Sequence, residues 1–485
     1  MNTIVEPTIF ELSSPGRTGV SLPKTDVPEP ERLHSQFERK SELDWPEAAE
    51  IDVMRHFVRI SVLNHHIEKG IYPLGSCTMK YNPKVNEQAA RLPGFAEIHP
   101  EASEEDVQGA LKLMHELASF LAEIGGVDVV TLQPSAGAQG ELVGLLLMRA
   151  HHGGRKNRKR NQIIIPDSAH GTNPASVTTA GFETVQIASG ADGRVSLEKL
   201  KEALSERTAG MMLTNPNTLG LFEKNILDIC RLVHEAGGLM YMDGANLNAL
   251  MGIVKPGDLG FDIVHFNLHK TFSTPHGGGG PGAGAVGVKA FLEPYLPNPR
   301  VEKIDKKGKD WYRFTESKKS IGKVHSAFGN FGVLVRAYTY IRTLGAEGLS
   351  EVSENAILNA NYLFARIKDY YDVPYPGFCQ HEFVLSGNRQ KAKGVRTMDI
   401  AKRLLDFGVH APTAYFPLIV PEALMIEPTE TESRESVDYL AEAFIQIAKE
   451  AETDPEKVKK APHTTPVGRL DEVKAARDLD IAYHK

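Results

Sequence analysis

The chain has 485 residues, 41% of them hydrophobic, and 55 Lys and Arg against 62 Asp and Glu give a formal charge of −7. That length supports more than one hydrophobic core, and the mild acidity argues against nucleic acid as the main partner. No apolar run approaches membrane-spanning length, and the N-terminal MNTIVEPTIFELSSPG lacks the basic and apolar regions of a signal peptide. The cysteines Cys77, Cys230 and Cys379 have no zinc-like spacing and fit free thiols in a reducing compartment. The expectation is a soluble, cytoplasmic protein.

Residues 1 to about 45, rich in Pro, Ser and charge, read as an extended arm. From Pro46 to Lys69 the apolar Ile51, Met54, Val58 and Leu63 recur at roughly helical spacing, with Gly70 as a stop. IYPLGSCTMKYNP follows as a loop that periodicity does not explain. From about residue 126 the pattern alternates. VDVVTLQ, QIIIPDSAH, GMMLTNP, GLMYMDGAN and FDIVHFNL read as buried strands. GELVGLLLMRAHHGG, SLEKLKEALSER and KNILDICRLVHEAGG read as helices between them. RKNRKR, Arg155 to Arg160, reads as a solvated loop, or more weakly as a docking patch for an acidic protein. This alternation predicts an α/β fold with a mostly parallel sheet flanked by helices on both faces. From roughly residue 330, VLVRAYTYIRTLGAEG and ENAILNANYLFARIKDYY precede the short strands EFVLSG and ALMIEP, as in a smaller α+β domain. The expected division is 1–95 for the arm and a helical segment, 96–330 for the large domain, and 331–485 for the small domain and tail.

Ligands of parallel sheets bind at the carboxyl ends of the strands. The unusual residues sit at those ends: Ser135, His170, Asn215, Asp243 and Lys270. Lys270 follows an apolar run and precedes HGGGGPGAGAVGV, which has almost no side chains. A reactive amine needs such burial or neighbouring cations. A Walker loop places its glycines before the lysine, so that reading fits poorly. Asp243 is a helix cap or, alternatively, a partner for a protonated ring nitrogen such as that of pyridoxal phosphate. It lies 27 residues before Lys270, about one βαβ return. SAGAQGE, with Ser135, Ala136, Gly137 and Ala138, opens a helix whose N–H groups suit a phosphate or serve tight packing. His170 is a structural histidine or one that stacks on a flat ring. Asn215 is a turn residue or a donor to a phenolic oxygen, and His269 a strand-end histidine or a phosphate contact. The paired histidines match no metal motif, so no metal is expected.

Five stretches together resemble the P-protein of the glycine cleavage system, the pyridoxal-phosphate glycine decarboxylase. They are PLGSCTMKYNP (73–83), QPSAGAQGE (133–141), DSAHGTNPAS (167–176), NLHKTF with PHGGGGPG (267–282), and LMIEPTETES (424–433). The resemblance implies a fold-type I pyridoxal-phosphate enzyme with large and small domains. It implies Lys270 as the Schiff-base lysine, Asp243 as the ring-nitrogen partner and His170 as the stacking residue. Ser135 to Ala138 and His269 become implied phosphate contacts. Many members are one long chain of two related halves. This chain corresponds to the half with the lysine, which implies a related first subunit without it in an assembly of two pairs. The implied reaction decarboxylates glycine and passes the aminomethyl group to the lipoyl group of the H-protein, with the T-protein and lipoamide dehydrogenase acting alongside. The runner-up is another fold-type I enzyme, an aminotransferase or amino-acid lyase.

Overall fold

Short apolar runs build the main sheet in a computed structural model that describes residues 6–28, 34–41, 43–154, 159–277, 282–326 and 328–482. The strands are β1 (Val129–Thr131), β2 (Gln162–Pro166), β3 (Glu183–Ile187), β4 (Thr208–Thr214), β5 (Leu239–Gly244), β6 (Ile263–Asn267) and β7 (Gly284–Val288). Their spatial order is β1-β7-β6-β5-β4-β2-β3. β6, β5, β4, β2 and β3 are mutually parallel, and β7 runs antiparallel to both its neighbours.

Continuous apolar character follows from burial on both faces. Met211 and Leu213 enter one core, Met212 the other; Met240 and Met242 oppose Leu239 and Tyr241 in the same way. Helices Gln108–Gly125 and Ile226–Glu235 cover the first face, through Leu113, Leu117, Leu121, Ile229 and Val233. Helices Gly137–His151 and Thr172–Thr179 cover the second, through Val143, Leu147, Met148 and Val177. The predicted alternation is therefore present, with two strands that the sequence reading does not include. β3 is an edge strand whose Glu183, Thr184 and Gln186 are exposed, so its apolar signal is absent. β7 is GAVGV, and its glycines are demanded by close approach. A Cβ on Gly284 would lie 2.1 Å from the Ala136 carbonyl oxygen, and one on Gly287 would lie 2.5 Å from Val127 Cγ2. Gly284→Ala is expected to cost about 1–3 kcal/mol, read as a lower urea midpoint; an unchanged midpoint would show that the strand can shift freely.

Beyond the sheet, β8 (Arg300–Asp305) and β9 (Asp310–Thr315) form an antiparallel hairpin that periodicity does not reveal. The two helices expected near 333–348 and 354–371 form one element, Phe331–Ile367, broken at Gly345, whose φ of 65° and ψ of −174° leave the helical region. Its first half, with Leu334, Ala337 and Ile341, packs on the large sheet. Its second half, with Ala360, Leu363 and Ile367, packs in the smaller unit. There β10 (Phe383–Ser386), β12 (Ala423–Ile426) and β11 (Thr413–Ala414) form an antiparallel sheet in that order, backed by helices Thr397–Asp406 and Arg434–Thr453.

The helix expected to end at Gly70 spans Glu50–Leu63 and stops at the extended Asn64. Ile51, Met54, Phe57, Val58 and Val62 are each more than half exposed, so its apolar residues are not covered by the described residues of this chain. The loop after it turns inward. Leu74 bridges to Ile426, and a Cβ on Gly75 would lie 2.3 Å from Met425 Cγ. Lys80 is buried and donates to the Thr271 carbonyl (2.7 Å), Tyr340 Oη (3.1 Å) and Glu430 Oε1 (2.6 Å). Burial alone would discharge that amine; the Glu430 carboxylate and the Tyr340 hydroxyl hold it charged. One side chain thus ties together three of the compositionally unusual segments. Lys80→Met leaves Glu430 without its cation and is expected to lower stability by about 3 kcal/mol or more. Equilibrium denaturation measures it, and a loss within error of zero would refute the argument. Positions 155–158 of RKNRKR lie outside the described residues; Arg160 instead donates to the Thr208 and Ala236 carbonyls.

Candidate active site

Parallel strands deliver their carboxyl ends to one edge of the sheet, and there a cavity of about 180 Å³ gathers His170, Asp243 and Lys270 with the helix-opening Gly137 and Ala138. Two larger clefts, about 350 and 520 Å³, lie against the helix Gln108–Gly125, away from these groups. Asp243 and His265 are paired neighbours on β5 and β6. Lys270 follows β6 by a tight turn in which its N–H donates to the Asn267 carbonyl. Its amine donates to the Ser76 carbonyl (2.6 Å) and to Asn246 Oδ1 (3.1 Å).

Asp243 is 4% exposed and well satisfied. Oδ2 accepts from Asn173 Nδ2 at 3.0 Å, and Oδ1 from the Ala245 amide at 3.1 Å. His265 Nδ1 lies 3.5 Å from Oδ1 and 2.6 Å from the Tyr241 hydroxyl. Burial pushes this carboxyl upward, but the His265 imidazole, the Asn173 amide, His170 and the Ala245 amide together outweigh it and hold it below the ordinary range. It is a carboxylate at neutral pH.

His170 is oriented by a buried relay. Thr172 Oγ1 donates to Glu141 Oε1 at 2.6 Å, and Ser176 Oγ donates to Glu141 Oε2 at 2.6 Å. The Thr172 amide donates to His170 Nδ1 at 3.3 Å, and the Thr172 hydroxyl lies 2.8 Å from the same nitrogen. Burial holds the ring below its ordinary pKa, against the opposing charge of Asp243.

Other anticipated residues fall outside the cavity wall. Ser135 Oγ and N–H both engage Gln139 Oε1, at 2.9 and 2.6 Å, so this serine is occupied in capping its own turn. Ala136 is the N-cap of the helix, with its carbonyl against Gly284. His269 Nδ1 accepts from the Ala283 amide at 3.2 Å, and its ring meets His276 edge-on at 5.1 Å. Asn215 Oδ1 accepts from the Glu223 amide at 3.1 Å; its neighbour Thr214 lines the cavity instead. Of the glycine run 277–280, positions 278–280 lie outside the described residues.

Ser76, Glu141, Thr172, Thr214, Asn246, His265 and Asn267 also line the cavity and were not singled out from sequence. Ser76, Glu141, Thr172 and Asn267 lie inside the stretches that carry the resemblance, whereas for Asn246 the signal was adjacency, three residues after Asp243. Thr214 Oγ1 and Asn267 Oδ1 are buried without a partner among the described residues. Two orphaned polar atoms, an amine, a carboxylate and a helix N-terminus around one cavity fit pyridoxal phosphate. Lys270 suits the aldehyde, Asp243 the ring nitrogen, the 137–138 amides the phosphate, and His170 the ring face.

Residues 145–295 match the aminotransferase class-V family, and residues 352–465 match the family described as glycine dehydrogenase, C-terminal domain. In fold the chain is similar to a crystal structure of glycine decarboxylase (P-protein) of the glycine cleavage system in inhibitor-bound form. That likeness has a TM-score of 0.72 and 21% identity, over 85% of this chain and 92% of that one. It is also similar to a sphingosine-1-phosphate lyase from Burkholderia pseudomallei, with a TM-score of 0.63 and 14% identity over 88% and 95% of the two chains. Sheet and site thus define a fold-type I, aminotransferase class-V architecture of the pyridoxal-phosphate-dependent kind. The chain is 59% identical to a probable glycine dehydrogenase (decarboxylating) subunit 2 of Halalkalibacterium halodurans, over 98% of each protein. It is 57% identical to the protein of the same description in Bacillus licheniformis, over 100% of each. The chain belongs to the family of glycine dehydrogenase (decarboxylating) subunit 2.

Proposed function

We propose that this chain decarboxylates glycine with pyridoxal phosphate held at Lys270 and passes the aminomethyl group to the lipoyl group of the H-protein, as subunit 2 of the glycine cleavage enzyme. The observation that carries this reading is an amine and a buried carboxylate facing one cavity from the ends of neighbouring strands. When bound, pyridoxal phosphate supplies a conjugated ring that delocalises the electron pair left by departing CO₂. The chain's residues do the rest. Asp243, kept anionic, holds a proton on the ring nitrogen. His170, held by Thr172 and through it by Glu141, would offer its imidazole to the ring face. The Ser76–Thr78 loop closes the cavity beside Lys270 and limits water. The cavity is small, which suits the smallest amino acid as substrate.

The exposed apolar side of helix Glu50–Leu63 suits the related first subunit, as does the family description "subunit 2". No helix among the described residues is long and apolar enough to cross a membrane, and a cytoplasmic location accords with the three cysteines being free thiols. The test is exchange of the glycine carboxyl carbon with bicarbonate, using this chain, the related subunit and lipoylated carrier. Exchange that requires the carrier is the expected result. Cofactor binding with amino-group exchange to a keto acid, and no carboxyl exchange, would favour an aminotransferase.

A further inference from the structure

Each strand of the small sheet brings one polar side chain to the same loop. Glu382 immediately precedes β10, Glu427 immediately follows β12, and Thr413 opens β11. Phe383 pairs with Ile426, so the two glutamates stand side by side one residue beyond that pair, at 2% and 0% exposure. Glu382 Oε2 accepts from the Ser76 amide at 2.6 Å. Glu427 accepts from the Thr78 amide at 3.1 Å and from Thr78 Oγ1 at 2.6 Å. Thr413 Oγ1 donates to the Gly75 carbonyl at 2.8 Å. Ser76 and Thr78 both have left-handed backbones, with φ of 63° and 45°. Residues other than glycine, and β-branched ones above all, keep that conformation only where their surroundings over-determine it. Here the surroundings are the buried carboxylates of the small domain, which grip the two strained amides.

The same loop is fixed to the large domain beside Lys270. Asn246 Nδ2 donates to Thr78 Oγ1 at 2.7 Å, and Asn248 Nδ2 donates to Glu427 Oε1 at 3.0 Å. The Leu247 amide donates to Thr271 Oγ1 at 3.1 Å, and Lys80 donates to the Thr271 carbonyl at 2.7 Å. Thr271 follows Lys270 directly, so the loop and the turn at 246–248 close on the lysine's own stretch of backbone. Ser76, Asn246 and Lys270 accordingly line one cavity, and Glu382 and Glu427 stand behind the loop rather than in the cavity wall.

We propose that Glu382 and Glu427 are positioning residues that set the size limit of the substrate pocket. They hold Ser76 in its left-handed conformation as a wall beside Lys270, which leaves room for glycine and none for a substituent on its α-carbon. The inference rests on the proposed function, in which pyridoxal phosphate joins Lys270. The amino group of the substrate must reach the same aldehyde carbon as the lysine, so its α-carbon lies against this wall. A pocket rejects a larger substrate only if its wall does not yield. A loop whose amides faced water could yield, because water would replace each lost partner. The Ser76 and Thr78 amides are bonded to buried acceptors, and moving the loop would leave donors and carboxylates unpaired. The small domain thus acts on the pocket through the loop, without touching the substrate.

The experiment uses the cofactor-loaded chain with the related subunit and lipoylated carrier. It measures exchange of the glycine carboxyl carbon in the presence of alanine, which is larger by one methyl group. The readout is the ratio of the alanine inhibition constant to the glycine KM. Glu382→Ala removes the acceptor of the Ser76 amide, and Ser76→Gly removes the side chain at the wall and frees its backbone. Each is expected to lower the ratio about tenfold, the low end of what one carbon is worth in a pocket. Glu382→Gln keeps an oxygen for the Ser76 amide and is expected to leave the ratio within about twofold of the unsubstituted chain. A merely structural role would lower the folded fraction or the overall rate without moving this ratio. An unmoved ratio in Glu382→Ala and Ser76→Gly overturns the proposal, and so does an equal fall in Glu382→Gln and Glu382→Ala. If Glu382→Ala does not fold, Glu427→Gln takes its place. It keeps the shape but leaves one oxygen for the two donors of Thr78, and it must lower the ratio likewise; an unmoved ratio again overturns the proposal. If the unsubstituted protein exchanges no glycine carboxyl carbon, the proposed function fails and this inference with it. Normal exchange with an unmoved ratio refutes the inference alone.

Discussion

Lys270→Ala is expected to abolish the visible absorbance of the cofactor–lysine linkage and to lower carrier-dependent decarboxylation on the order of 10⁴-fold or more. The lysine is the one amine lining the cavity among the described residues, so no neighbouring group can take over the covalent attachment. Lys80, a buried lysine on this side, is committed to Glu430, Tyr340 and Thr271. The substitution leaves the Ser76 carbonyl and Asn246 Oδ1 without a donor, a modest cost that water in the vacated space offsets. The variant therefore folds, and loss of activity reports on chemistry. Borohydride reduction followed by peptide mass analysis locates the attachment directly. A variant that keeps full turnover, or a reduced adduct on another residue, would remove Lys270 from the mechanism.

Asp243→Asn is expected to weaken cofactor binding about a hundredfold, because a buried charged partner is lost, and to slow the carbon–carbon cleavage by about a hundredfold or more. The substitution preserves shape. The new amide oxygen can still accept from the Ala245 amide, now 3.1 Å from Oδ1, while the new NH2 takes the place of Oδ2 and can donate to Asn173 Oδ1 once that side-chain amide turns over. What disappears is the anion that holds a ring nitrogen protonated. The sign of the pH dependence follows from the lowered carboxyl. Asp243 is stabilised as the anion in the folded chain. Its contribution is present above the ordinary aspartate range and is lost only as pH falls through the depressed value. Activity of the unsubstituted protein should therefore show no acid limb from Asp243 near neutrality. Near-normal cleavage by the asparagine variant would refute the electron-sink role.

The main sheet was legible because its central strands are buried on both faces, so that residues such as Ile163 to Ile165 and Met240 to Met242 are apolar without interruption. β3 and β7 were not legible, for opposite reasons. β3 is an exposed edge with polar residues. β7 is squeezed against Ala136 and Val127 until glycine replaces the expected side chains. The helix Glu50–Leu63 carries an apolar pattern, but no pattern specifies whether its own chain or another protein covers it. Gly345 is likewise a single residue in a helical run. Its left-handed turn lets one element serve two cores.

For the site, the sequence alone placed the groups proposed to react, Lys270, Asp243 and His170, at the carboxyl ends of strands, where parallel topology must bring them to one edge. Strand order then decided that Asp243 and Lys270 are neighbours, and loops decided the rest. Ser76 is 194 residues from Lys270 in the chain, and Glu427 is 349 from Thr78. Such contacts have no period and no local spacing. They arise only when the loop after the N-terminal helix is pressed between the two domains, where buried amides and carbonyls must find partners. Chemistry that depends on residue type was therefore readable from the chain. The orientation of Lys270 by Ser76 and Asn246 and the anchoring of Thr172 by Glu141 belong to tertiary structure, because each is set by hydrogen bonds between segments distant in sequence.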